Sequence, residues 1–223
     1  MELQPRLIDT AVPTAPCGAV LVLHGGASRR ENMRVSPTQL SVLRMIPIAK
    51  RIARAGRGGL AVLRLLNSRR GWDAHHTPVH DVHWALDQVA ERLGDAVPVV
   101  LAGHSLGGRA ALLAAGRPQV RGAVALAPWV LPTDTPPGLG GQRLLIVHGS
   151  EDRIASPPRS AAMAERLRRS GVAVEYVAVR GGKHAMLRHH EKFGRLAADF
   201  TVETLLGAGE VSPARAFAAR SGR

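Results

Sequence analysis

Six short, almost continuously apolar runs, separated by longer amphipathic stretches, constrain this chain more than any other feature. They cover 19–23, 60–66, 97–102, 123–126, 144–147 and 172–179. A strand with one face in water alternates apolar and polar residues. These runs do not, so each suits a strand buried on both faces of a parallel sheet. The stretches between them read as helices. Val79, Val82, Leu86, Val89 and Leu93 fall on one helical stripe, with Thr77 as the expected cap and Pro78 at the first position. Residues 106–115 form a second candidate, closed by Gly116 with Pro118 beyond. Ser156 and Pro157 open a third that runs to about Arg169, and a fourth covers 186–206. Residues 40–55 are helical in pattern, with Pro47 either kinking that helix or starting it.

Strands alternating with helices predict βα units joined by right-handed crossovers. The expected fold is therefore α/β, a doubly wound, mostly parallel sheet of about six strands with helices on both faces. A single domain over 1–206 and a flexible tail over 207–223 are expected, because the final residues show no apolar stripe. The length of 223 residues suits one core. Cys17 is the only cysteine, which excludes an intramolecular disulfide and any all-cysteine zinc site.

The formal charge of +13 raises the question of a nucleic-acid partner. Only Lys50, Lys183 and Lys192 are lysines, and the arginines that make up the rest are scattered from Arg6 to Arg223. Aromatic residues are 3% of the chain, too few for a base-stacking groove, and no basic helix or arm stands out. No nucleic-acid partner is expected. No leader-like apolar segment opens the sequence, and the longest apolar charge-free run, 122–132, falls short of the ~18 to 20 residues of a membrane span. A cytoplasmic protein without a membrane partner is expected.

The chemistry concentrates where the 97–102 run ends. Gly103, His104, Ser105, Leu106 and Gly107 follow it directly and a helix begins there, so a G-x-S-x-G pattern sits in the strand–turn–helix context that a nucleophile elbow needs. A serine at the tip of so tight a turn adopts a strained backbone. Side chains two residues to either side would strike the neighbouring strand or helix, which is the physical reason for Gly103 and Gly107. Ser105 is the predicted nucleophile.

These residues resemble the α/β-hydrolase superfamily, in particular its small lidless esterase-like and dienelactone-hydrolase-like branch, over about residues 19–206. His148, Gly149, Ser150, Glu151 and Asp152, with Pro157 beyond, resemble the family's acid loop; Gly181, Gly182, Lys183 and His184 resemble its histidine loop. The resemblance implies Asp152 as the acid, favoured over Glu151, and His184 as the base. Dienelactone hydrolases carry cysteine at the elbow where this chain has Ser105, so lactone specificity is not implied. His24, Gly25, Gly26 and Ala27 resemble the HGG-type oxyanion loop. Together with the amide of Leu106, either Gly26 or Ala27 would complete an oxyanion hole. The predicted order of nucleophile, acid and base along the chain suits this fold, and each residue sits just past the C-terminal end of a predicted strand, where open α/β sheets place ligands.

Trp72, Trp129, Val130 and Met186 are candidate substrate contacts. Trp129, Val130 and Leu131 are expected to border an open cleft opposite the 67–76 loop, because the proline- and glycine-rich 128–142 segment has no room for a helical cap domain. His75, His76, His80 and His83 with Asp81 lack a matching ligand set elsewhere, so no metal and no cofactor are expected. Arg29, Arg30, Arg69, Arg70 and Arg153 could form an anion-recognising rim or simply stand in water. The expected activity is that of a serine hydrolase cleaving a small-molecule carboxylic ester or thioester through an acyl-enzyme. The rivals are a peptidase or amidase of the same fold, a non-catalytic binding protein of that fold, and a basic nucleic-acid protein. Oligomeric state is not readable from the sequence.

Overall fold

The computed structural model describes residues 3–26 and 33–207. Among them, seven strands form one sheet: β1 (Arg6–Ala11), β2 (Gly18–Leu23), β3 (Leu60–Leu66), β4 (Val99–His104), β5 (Val120–Leu126), β6 (Arg143–Gly149) and β7 (Ala173–Val179). Their order is β1-β3-β2-β4-β5-β6-β7, and every pairing is parallel except that of β1 with β3. Six of these strands occupy the apolar runs. β1 is the addition to the expected six. It is an edge strand carrying Arg6 and Asp9, with every residue intermediate or exposed, so it has no continuous apolar run to betray it.

Alternate residues of the central strands enter opposite cores, as burial on both faces requires. Ala19, Leu21 and Leu23 of β2 join one core, whereas Val20 and Val22 join the other. The first core is covered by α3 (Thr77–Leu93), α4 (Leu106–Leu113) and α5 (Pro157–Arg169). The second is covered by α2 (Met45–Ala55) and α6 (His190–Leu206), through Ile48, Ile52, Phe193 and Phe200. The helices therefore cover both faces, and among the described residues no separate cap domain interrupts the sheet.

Pro47 resolves as a third-position residue of α2, after a short separate helix α1 (Leu40–Leu43). The first four amides of a helix lack intrahelical acceptors, so proline loses nothing there, and the chain breaks before it rather than at it. α3 starts one residue earlier than the cap prediction. His76 occupies the cap position, and Asp73 is the acceptor, taking Thr77 N at 2.9 Å and His75 N at 3.1 Å. Ser156 does cap α5, accepting from Arg159 N. The 186–206 helix divides into a 3-10 turn, Leu187–His189, and α6, with Gly207 at positive φ after its end. The rest of the expected tail, 208–223, lies outside the described residues, as do Ala27, Arg29 and Arg30.

Candidate active site

β4 delivers Ser105 into a conformation with φ 56° and ψ −116°, a region L-residues avoid. Close packing imposes it. A Cβ on Gly103 would meet Gly107 O at 2.1 Å, and one on Gly107 would meet His24 O at 2.5 Å. Strand and helix can be joined this sharply only because both side chains are missing. Ser105 N donates to Leu126 O at 2.9 Å, and Ser105 O accepts from Trp129 N at 3.1 Å, so β5 and the loop after it brace the elbow.

The acid and histidine loops are tied to one another before they reach Ser105. Ser150 N donates to Val179 O, Glu151 N donates to Gly182 O at 2.9 Å, and Gly181 N donates to Ser150 Oγ at 3.0 Å. Asp152 and His184, 32 positions apart in sequence, thereby meet: His184 Nδ1 lies 2.7 Å from Asp152 Oδ2. On its other side His184 Nε2 lies 2.9 Å from Ser105 Oγ. With Nδ1–H donating to the carboxylate, Nε2 is left to accept the serine hydroxyl. Glu151, the rival acid, is exposed and makes no side-chain bond to His184.

Asp152 has a second histidine that the sequence reading did not anticipate. His148, fully buried, reaches the same Oδ2 through Nε2 at 3.1 Å and Ser160 Oγ through Nδ1 at 2.9 Å. Oδ1 accepts from Ile154 N at 2.8 Å and Ala155 N at 2.9 Å. Burial alone would raise the carboxyl pKa, but these four donors outweigh it and hold Asp152 well below the usual carboxylate range. His104 is a second unanticipated neighbour. Its Nε2–H donates to His184 O at 2.9 Å, and its ring lies 4.9 Å from that of His184, tilted 45°. Complete burial, reinforced by the neighbouring His184 imidazole, pushes its pKa down to about 3, so the ring is neutral.

Leu106 opens α4, and the leading amides of a helix have no intrahelical acceptor. The His24–Gly26 segment runs beside Ser105, since a Cβ on Gly25 would lie 3.3 Å from Ser105 Cβ. His24 holds this segment: Nδ1–H donates to Gly25 O at 2.6 Å, and Nε2 accepts from Asn67 N at 3.2 Å. Gly26 packs against the Arg70 carbonyl.

Of the candidate substrate contacts, Trp129 is 39% exposed and Trp72 is partly buried. They converge on Arg109, whose guanidinium lies 3.8 Å from the Trp72 ring centroid and 5.6 Å from that of Trp129. Arg109 is 3% exposed and pairs bidentately with buried Asp134, at 2.8 and 2.7 Å. Its sequence signal is a lone charge in an otherwise apolar helix, which demands a buried partner. Val130 is buried in the core beneath α3 and α4, and Met186 in the core beneath α2 and α6. Asp81 is occupied by Ser68, accepting from its N at 2.8 Å and its Oγ at 2.9 Å. His80 and His83 stand edge to face at 6.4 Å, and no group of three potential ligands is gathered among the described residues. No helix among the described residues is long and apolar enough to cross a membrane.

The fold is shared with several solved structures. Esterase 2 of Thermogutta terrifontis, phosphoramylated by tabun, superposes with a TM-score of 0.70 at 20% identity, covering 94% of this chain and 91% of that one. Est1E of Butyrivibrio proteoclasticus, with ferulic acid bound, gives 0.64 at 17% identity, covering 91% and 96%. The serine hydrolase without lid from Xanthomonas campestris gives 0.64 at 16% identity, covering 91% and 95%. No curated protein sequence matches the chain. The prolyl oligopeptidase family matches residues 140–207. The alpha/beta hydrolase family matches residues 20–145, more than half of the sequence, and the chain belongs to that family.

Proposed function

We propose that the chain is a serine hydrolase that cleaves small carboxylic esters or thioesters through an acyl-enzyme. The observation that carries this reading is the continuous relay Ser105–His184–Asp152, at 2.9 and 2.7 Å, with Ser105 immediately before the first turn of α4. Ser105 Oγ attacks the substrate carbonyl carbon while its proton passes to His184 Nε2. The oxyanion that forms takes hydrogen bonds from Leu106 N–H and from a second amide at Gly26 or Ala27. The bond to the leaving group breaks, and that group departs with the proton from His184. Water then attacks the acyl-enzyme, giving its proton to His184, and the acid is released as Ser105 is reprotonated. Asp152, anionic throughout, holds the imidazole tautomer and stabilises the imidazolium. Esterases among the structural neighbours are consistent with this reading.

A fluorophosphonate probe tests it. Wild-type protein should be labelled on Ser105 and lose esterase activity in step with labelling, while Ser105→Ala should remain folded and unlabelled. Undiminished labelling of Ser105→Ala would remove the serine from this role. The prolyl oligopeptidase match favours an amide as a second reading. Turnover of acyl p-nitroanilides exceeding that of the matching p-nitrophenyl esters would select it.

A further inference from the structure

A groove of about 520 Å³, which the reaction steps leave unused, lies against the residues that follow His184. One wall is α1 and the start of α2, with Leu40, Leu43 and Ile48; the other is Ala185, Met186 and Leu187, which follow His184 directly. Leu40 is 76% exposed and Leu187 is 71% exposed, an unusual display of large apolar side chains. Three arginines share the groove. Arg51 faces Glu191 at 3.8 Å, and Arg54 Nε donates to Lys50 O. Arg44 differs: its Nε is buried and has no partner among the described residues. Burial depresses its pKa, and its charge is felt by His104, the ring packed on His184.

Volume and concavity match a small molecule rather than a flat protein surface. Charge narrows the choice. A second copy of a chain carrying +13 would bring its own cations against these arginines. Residues 208–223 carry Arg215, Arg220 and Arg223 against Glu210 alone, the same sign as the groove. An anion attached to an apolar body fits both features, covering the leucines and giving Arg44 a partner.

We infer that this groove is a substrate subsite for an anionic amphiphile, in which the apolar, carboxylate- or phosphate-bearing part of the ester lies between α1–α2 and the His184 loop with its anion on Arg44. The inference deepens the serine-hydrolase reading and rests on it for taking the bound molecule as substrate. Binding itself needs no turnover, so the two are separable. Octanoate and octanol titrated into Ser105→Ala protein, followed by amide chemical shifts, provide the test. Octanoate should bind about tenfold more tightly than octanol. Arg44→Gln should erase that margin, and Leu187→Asp, at an exposed position that tolerates charge, should weaken octanoate about fivefold. Thermal unfolding checks that each variant is folded.

Equal affinity for octanoate and octanol, or octanoate binding unmoved by both variants, would overturn the site. So would binding of phosphatidylglycerol vesicles without octanoate binding, or a self-association that Leu187→Asp abolishes. Octanoate bound at Arg44 in a protein whose Ser105 resists fluorophosphonate would leave the site standing and sink the hydrolase reading instead.

Discussion

At the scale of single residues, the site is organised around Asp152, whose two oxygens accept two imidazole and two backbone donors. Asp152→Asn and His184→Ala should each lower esterase turnover by roughly 1,000-fold or more, whereas Glu151→Gln should change it little. Steady-state kinetics on p-nitrophenyl acetate decides this, and a large loss on Glu151→Gln would transfer the acid role. His104 yields a stability prediction with a definite sign. Its pKa is pushed down to about 3 in the folded chain, so on acidification the unfolded chain takes up this proton first. Stability from keeping the ring neutral is complete above its ordinary value of 6.5 and is lost as pH falls towards 3. Between pH 6.5 and 5 the loss should be about 2 kcal/mol. Buried His24 is shifted in the same direction and adds to it. His104→Gln keeps a donor for His184 O but does not titrate, so its urea midpoint should fall less than that of wild type between pH 7.5 and 5. Parallel falls in the two proteins would show that His104 takes up no extra proton on unfolding.

At the scale of elements, Arg109 joins three segments that share no local sequence signal. It lies one turn into α4, its guanidinium grips Asp134, and Asp134 also accepts from Leu131 N at 2.8 Å. Trp72, from the opposite loop, lies on the same cation. The loop whose Trp129 amide braces Ser105 is thus anchored to the elbow helix by a buried ion pair. Arg109→Met or Asp134→Asn alone leaves an uncompensated or poorly paired buried group and should cost about 3 to 5 kcal/mol in urea unfolding. The apolar double replacement Arg109→Met with Asp134→Leu should cost less than either single change. Additive losses would mean that the pair is not an energetic unit. Element identities were largely legible in the sequence, because apolar periodicity and Pro, Gly and Ser punctuation are local. β1 was not, since its stability comes from pairing with β3 rather than from its own pattern.

At the scale of the whole molecule, β5 runs to β6 through residues 127–142 without a helix, so the chain inserts no helical cap between these strands. An acyl chain longer than the local apolar surface leaves its remaining methylenes in water and gains none of the ~25 cal/mol per Å² that burial provides. Hydrolysis of p-nitrophenyl esters from C2 to C16 should therefore peak at short or medium chains and show no jump at the solubility limit. A maximum at C12 or beyond with interfacial activation would contradict an open cleft.

The sequence alone determined what depends on near neighbours: strands buried on both faces, the glycines that permit the turn at Ser105, and candidate acid and histidine loops at strand ends. Only the tertiary structure decided which distant groups meet. That Asp152 rather than Glu151 meets His184 follows from the docking of the β6 and β7 loops, which brings one carboxylate to the imidazole and leaves the other exposed. His148 and Ser160 behind Asp152, His104 against His184, and Arg109 between two tryptophans follow in the same way from sheet order and helix packing. Sequence spacing cannot convey such pairings, because the energy of a buried polar contact depends on three-dimensional proximity and exclusion of water, and both exist only once the sheet has closed its two faces.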